Sequence, residues 1–132
     1  MDLDTRKKIL TVAQAVETVR RLRAEGSSVR FATGWFDPLI AAHARRLEQL
    51  RDGASRVMVI VTDPSRPILP ARARAELVAA LSVVDFVVPS EEERLEDLLT
   101  QLEATEVLRG EAADETLTQQ LIHHVQTRQR TA

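Results

Sequence analysis

Cysteine is absent from the sequence, which excludes disulfides and thiolate-ligated metal sites. Tyrosine is absent too, and aromatic residues make up only 3% of the chain, so a core must be built from Val, Leu, Ile and Ala. Lysine occurs only as Lys7 and Lys8, and every later basic residue is Arg. The folded body therefore lacks an amino group that could bind phosphate or act in catalysis.

No apolar run approaches the roughly 18 residues of a membrane span, and the first residues, MDLDTRKK, contain no signal-peptide core. The formal net charge of -2 gives no sign of a nucleic-acid or membrane partner. At 132 residues, 44% of them hydrophobic, the chain fits one domain over 1–132. We expect a cytoplasmic protein with no nucleic-acid or membrane partner.

Helical and strand-like patterns alternate along the chain after a short charged segment at 1–10. The pattern predicts an α/β fold, a Rossmann-like doubly wound parallel sheet of four to five strands in a three-layer α/β/α sandwich. Capping boxes at Thr11–Gln14 and Ser90–Glu93 predict two helix starts. Helices are expected at about 12–25, 42–52, 71–82, 90–103 and 114–128, and strands at about 29–33, 56–62, 83–88 and 106–108.

The loop Gly34–Ala41 follows the first strand and is the best candidate for a ligand crevice. Ligands of doubly wound folds bind beyond the carboxyl ends of the strands, where the strand order switches direction. The helix after this loop would direct its N-terminal amides and the positive end of its dipole at a bound anion.

Residues 33–43, TGWFDPLIAAH, resemble the nucleotide-binding signature of the cytidylyltransferase-like nucleotidyltransferases. That signature is a Gly-x-Phe-Asp turn followed by His-x-Gly-His. The segment ILTVAQAVETVRRLRAEG is similar to the helix that precedes the family's first strand. Arg66-Pro67 and the segment PARARAELVAALSVVDFVVPSEE are similar to the family's Arg-Pro segment, Arg-bearing helix and Val-Asp strand. The resemblance covers about residues 9–110 and is greatest to the adenylyltransferase half of bacterial ADP-heptose synthase and to glycerol-3-phosphate cytidylyltransferase.

The resemblance implies a reaction in which CTP or ATP, with Mg²⁺, is joined to a phosphate-bearing sugar or polyol and pyrophosphate is released. It also implies a homodimer, and no resident metal. His43 would be the remaining catalytic histidine. The implied nucleotide-binding residues are Thr33, Gly34, Trp35, Phe36, Asp37, Ile40, Ala42, His43, Arg66, Arg74 and Arg109.

The sequence departs from the family pattern at several of these positions. Ile40 replaces the first His and Ala42 replaces the Gly, while Arg109-Gly110 stands for Lys-Gly. The loop after the second strand has no Lys, and the Ser/Thr turn near the C-terminus is missing. Losing one preorganised donor costs about 2.7–4 kcal/mol of transition-state stabilisation.

These departures favour a catalytically impaired member, a pseudoenzyme that acts as a nucleotide- or phosphate-binding or interaction module. An active cytidylyl- or adenylyltransferase that uses His43, Arg66 and Arg74 is a second hypothesis. A purely structural homodimer, with the crevice closed by Ile40 and Trp35, is a third.

The sequence leaves alternatives open for the roles of several residues. His43 is either a remaining phosphate ligand or a histidine that caps and packs a helix. Asp37 more readily holds its own turn than a ligand. Arg72 and Arg74, at a helix start, face either an anionic partner or solvent. Trp35 is either an exposed anchor or part of the core.

Overall fold

The protein is described by a computed structural model that covers residues 4–53 and 55–131. Within those residues a four-stranded parallel sheet has the order β3-β2-β1-β4. The strands are β1 Val29–Gly34, β2 Arg56–Val61, β3 Phe86–Pro89 and β4 Val107–Arg109. The helices are α1 Val12–Ala24, α2 Ala41–Glu48, α3 Ala71–Ala79, α4 Leu95–Gln101 and α5 Glu111–Thr131.

Helices cover both faces of the sheet, which explains why β2 is apolar without alternation. On one face α1 and α4 bury residues such as Val19 and Leu98 against Met58 and Ile60. On the other face α2 and α3 contribute Leu47, among others, to a second cluster of buried side chains. The predicted three-layer α/β/α architecture is confirmed, with four strands.

The strand order places the switch point between β1 and β4. From β1 the chain proceeds outward to β2 and β3, and then returns to add β4 on the other side of β1. The loop after β1 and the start of α5 after β4 therefore meet at the carboxyl edge of the sheet. This is where the fold class binds its ligands.

The predicted bounds differ from the observed ones mainly at helix and strand ends. The capping box of Thr11 and Gln14 is present. The box predicted at Ser90 is wrong, because Ser90 donates instead to the carbonyl of Glu91, and a short 3₁₀ turn at Glu92–Arg94 precedes α4. The helix α5 begins at Glu111, directly after Gly110 and three residues earlier than expected.

Residues 4–9, within the charged segment at 1–10, belong to the folded domain. A 3₁₀ turn spans Thr5–Lys8, and Ile9 forms a parallel bridge with Val87 beside β3. The Lys8 ammonium donates to the carbonyls of Leu81 and Val84, 3.1 and 2.7 Å away. One of the two lysines thus binds backbone carbonyls beyond the end of α3.

In the residues that the structure describes, no helix has both the length and the apolar composition needed to cross a membrane.

Candidate functional site

The loop between β1 and α2 is anchored by Asp37. The Asp37 carboxylate is buried and accepts hydrogen bonds from the backbone N–H groups of Ile68 and Leu69, at 2.6 and 2.8 Å. The Asp37–Pro38 peptide bond is cis. These contacts tie the loop after β1 to the loop after β2, so the observed geometry gives Asp37 a structural task.

Arg74 lies beneath the same two loops and is 1% exposed. Its guanidinium donates to the carbonyls of Leu69, Trp35 and Thr62 at 3.0, 3.2 and 2.7 Å. It also forms a 2.7 Å ion pair with Asp63. All three guanidinium nitrogens therefore donate within the fold, and the side chain faces neither solvent nor an open cavity.

Asp114, in the first turn of α5, is the buried centre of the switch point and is fully inaccessible to solvent. One carboxylate oxygen, Oδ2, accepts the N–H of Trp35 at 2.7 Å and the N–H of Phe36 at 3.4 Å. Phe36 has a φ of 50°, in the left-handed region. Consecutive N–H groups that converge on one anion form the kind of concavity by which backbone binds phosphates.

Two cationic or protonatable side chains of α2 meet the other oxygen of Asp114. Arg46 donates from a terminal nitrogen to Oδ1 at 2.8 Å, with its guanidinium 5.8 Å from the centre of the Phe36 ring. His43 Nε2 lies 2.9 Å from the same oxygen. The burial of Asp114 would by itself raise its pKa, but the contacts with His43 and Arg46, the charge of Arg46 and the N–H of Trp35 outweigh it, so the pKa is lowered.

His43 is 2% exposed and packs its ring against Phe36, with 5.3 Å between the ring centres. Its Nδ1 accepts the N–H of Ile40 at 3.0 Å, so a neutral ring carries its proton on Nε2. Within the described chain, however, Nε2 has no hydrogen-bond partner of acceptable geometry. The short contact with Asp114 is therefore close but poorly aligned.

Glu111, one turn before Asp114 on α5, closes the ends of the two central strands. Its two oxygens accept hydrogen bonds from the hydroxyls of Thr33, at 2.9 Å, and Thr62, at 3.1 Å. With Asp114 it places two carboxylates at the carboxyl edge of β1 and β2. The first turn of α5 thus contributes acceptors at the position where the fold class presents donors to a ligand.

Two glycines permit this close approach of α5. A Cβ at Gly34 would lie 2.6 Å from Oδ2 of Asp114. A Cβ at Gly110 would lie 2.5 Å from an Arg46 nitrogen and 2.9 Å from the carbonyl oxygen of Thr33. A side chain at either position would force α5 away from the loop.

Apolar contacts from α5 close the remaining space beside His43. Leu117 and Leu121 line, together with Pro38, Ile40, His43 and Thr118, a recess that has no room for a water molecule. Ligand pockets usually measure about 300–1,000 Å³. The Thr118 hydroxyl also donates to the carbonyl of Asp37 at 3.0 Å. No nucleotide fits in this recess while α5 is in place.

A sequence profile described as cytidylyltransferase-like matches residues 31–131, which include this entire site. The chain belongs to the cytidylyltransferase-like family. The membership predicted from the turn at residues 33–43 is confirmed.

Several curated proteins are similar to this family member. The bifunctional protein HldE of Acidiphilium cryptum is 34% identical over 113 residues, which is 79% of this chain and 23% of that protein. HldE of Pseudomonas fluorescens is 33% identical over 111 residues, 77% of this chain and 23% of its own. HldE of Magnetococcus marinus is 35% identical over 112 residues, with 78% and 23% covered. The chain thus spans about a quarter of the length of these relatives.

The residues predicted to bind nucleotide in this cytidylyltransferase-like domain fall into separate groups. Arg66 is exposed in the loop after β2. Arg109 is paired with Glu96 of α4 at 2.6 Å. Ala42 is half-buried in the first turn of α2. The loop after β1 brings together Thr33, Gly34, Trp35, Phe36, Asp37, Ile40 and His43, and Arg74 lies beneath it. Their ligand roles stay predictions.

Sequence reasoning missed Arg46, Glu111 and Asp114, which bind the loop from outside the motif. Acidic residues at a helix start are expected as partners of the helix dipole, so nothing in the sequence pattern placed Glu111 and Asp114 in the crevice. In the described part of the chain no cluster of three or more His, Cys, Asp or Glu could hold a metal ion. Asp114 and Glu111 instead use their oxygens on protein donors.

Proposed function

We propose that this domain is a catalytically impaired nucleotidyltransferase-like protein that acts through binding and interaction rather than turnover. The observation that carries the proposal is the position of Asp114 and Glu111. Both carboxylates lie in the crevice at the switch point and accept hydrogen bonds from its N–H and hydroxyl groups. A triphosphate would need those same donors.

The negative charge at the crevice disfavours the binding of a nucleotide there. Two unit charges 4 Å apart interact by about 4 kcal/mol at an effective dielectric constant of 20. A triphosphate brought beside Glu111, which accepts from the uncharged hydroxyls of Thr33 and Thr62, would meet repulsion of that order. Arg46 offers no free positive charge against it, because it is already paired with Asp114 at 2.8 Å.

The departures from the family motif act in the same direction. Ile40 places an apolar side chain in the recess that Leu117 and Leu121 also line, where the motif has a histidine donor. Arg74 donates to three carbonyls and Asp63. The substitution of several donors in one site removes more transition-state stabilisation than useful turnover tolerates.

The ligands of such a module are a phosphate-bearing small molecule or a nucleotide, CTP or ATP, held without turnover and accompanied by Mg²⁺ in the nucleotide case. A nucleotide reaches His43 only when α5 leaves the loop. A homodimer is part of the proposal, on the strength of the family resemblance.

A pyrophosphate-release assay tests the loss of turnover. The protein is incubated with ATP or CTP, Mg²⁺ and a panel of sugar and polyol phosphates, and added pyrophosphate calibrates the detection. We expect no release above the protein-free background, because the donors needed at the reacting phosphate are replaced or occupied. His43→Ala should give the same trace as the unmodified protein. Sustained release that His43→Ala abolishes would establish an active transferase and overturn the proposal.

A further inference from the structure

Four donors converge on the Asp114 carboxylate, and we name them the oxyanion cradle: the N–H groups of Trp35 and Phe36, the guanidinium of Arg46 and Nε2 of His43. We infer that Asp114 is the built-in occupant of the oxyanion cradle, an autoinhibitory contact carried by α5 that a phosphate group must displace in order to bind there. The inference rests on the proposed function, since it concerns how binding at the impaired site is controlled.

The chemistry of the cradle suits a tetrahedral oxyanion. The backbone nitrogens of Trp35 and Phe36 lie 2.7 and 3.4 Å from Oδ2 of Asp114. The Arg46 and His43 nitrogens lie 2.8 and 2.9 Å from Oδ1. Paired backbone N–H groups, a guanidinium and an imidazole N–H are donors that proteins direct at phosphate. Here a planar carboxylate accepts from the two N–H groups and the guanidinium, and lies beside the imidazole nitrogen.

One donor of the oxyanion cradle, His43 Nε2, forms no well-aligned hydrogen bond with that carboxylate. His43 Nε2 is buried, points into the contact with Asp114 and still lacks a hydrogen bond of acceptable geometry anywhere in the residues described. A buried donor that is left unpaired destabilises the folded state, because it has lost its hydrogen bonds to water without replacement. A phosphate presents more oxygens than a carboxylate and could engage Nε2 while it keeps the other three donors.

A phosphate and Asp114 cannot occupy the cradle together. The approach to Gly34 is so tight that a Cβ there would lie 2.6 Å from Oδ2 of Asp114. A phosphate would also need the Trp35 N–H and the Arg46 guanidinium that Asp114 now accepts from, so it must displace the carboxylate from these donors. The later part of α5 holds the helix in place only weakly, because Ile122 and Val125 are 43% and 45% exposed. Release of the Asp114 contact therefore meets little resistance from that part of the helix.

Removal of the occupant tests the inference. Asp114→Ser shortens the side chain and removes its charge, and Glu115→Ser removes the neighbouring exposed carboxylate as a matched control. Thermal unfolding is measured with inorganic phosphate and with potassium chloride at equal ionic strength. We expect phosphate to raise the melting temperature of Asp114→Ser by about 3 °C or more. The unmodified protein and Glu115→Ser should rise by less than about 1 °C, since their cradles are occupied.

Asp114→Asn, which keeps the size of the side chain, guards against failure of the serine variant to fold. It should show a smaller rise in the same direction. A second set of measurements uses ATP without Mg²⁺ in place of inorganic phosphate. A higher melting temperature with inorganic phosphate would show that a small anion is sufficient. A higher melting temperature with ATP alone would show that the cradle binds a nucleotide phosphate. Either rise supports the inference. No rise in either folded variant with either probe overturns it, whereas pyrophosphate release by the unmodified protein would overturn only the proposed loss of turnover.

Discussion

Arg74→Ala should lower the free energy of unfolding by about 3–5 kcal/mol. The substitution leaves Asp63 without its cation and three backbone carbonyls, those of Leu69, Trp35 and Thr62, without their donor. Buried carbonyls that lose a partner carry the full cost of desolvation. Urea unfolding followed by circular dichroism measures the change.

Arg72→Ala is the matched control for this prediction. Arg72 precedes Arg74 by two residues on α3, is 61% exposed in its side chain and pairs with Glu76 one turn on at 3.1 Å. Exposed pairs of this kind contribute about 0.3–0.5 kcal/mol. Equal unfolding midpoints for the two variants would show that the Arg74 contacts do not support the loops.

Asp114→Ala should cost about 3 kcal/mol of stability at neutral pH, the lower end of the range for breaking a buried charged pair. The variant leaves Arg46 unpaired and the N–H of Trp35 without its acceptor. Denaturant unfolding of this variant and of Glu115→Ala, whose carboxylate is exposed, provides the measurement. A loss from Asp114→Ala no larger than that from Glu115→Ala would contradict the contacts described for the oxyanion cradle.

The cost of Asp114→Ala should also depend on pH in a defined direction. The folded pKa of Asp114 lies below its ordinary value of 3.8, so the carboxylate stabilises the fold above that value and ceases to do so as pH falls through the lower folded pKa. The gap between the unmodified protein and Asp114→Ala should therefore be constant from neutral pH to about pH 5 and shrink towards pH 3. A gap that stays constant, or widens on acidification, would contradict the lowered pKa.

The architecture was predictable because it follows from short-range patterns. The continuous apolar run of β2 and the alternation of strands with amphipathic helices indicate a covered parallel sheet. The turn at Gly34–His43 indicates both the family and the place of the crevice. Helix ends were less accurate, as Ser90 shows, because the capping pattern there is satisfied by a local backbone contact instead.

A closed crevice was one of the hypotheses from the sequence, but its occupation by Asp114 was not predictable, because it depends on pairing between distant segments. Trp35 and Asp114 are separated by 79 residues and meet only because β4 adds beside β1. Arg74 likewise appears at a helix start with a spacing that fits an exposed face, and its burial depends on two loops that fold over it. The recess that Ile40 shares with Leu117 and Leu121 likewise forms only because α5 packs beside the loop.

Amide hydrogen exchange at Trp35, measured by NMR, tests most directly whether α5 closes the crevice. The Trp35 N–H is bonded to the buried Asp114 carboxylate at 2.7 Å, whereas the amide of Arg66 lies in an exposed loop and serves as the fast-exchanging reference. We predict that Trp35 is strongly protected and that addition of ATP and Mg²⁺ leaves its protection unchanged. Exchange of Trp35 as fast as that of Arg66, or nucleotide-dependent protection, would contradict a crevice occupied by Asp114.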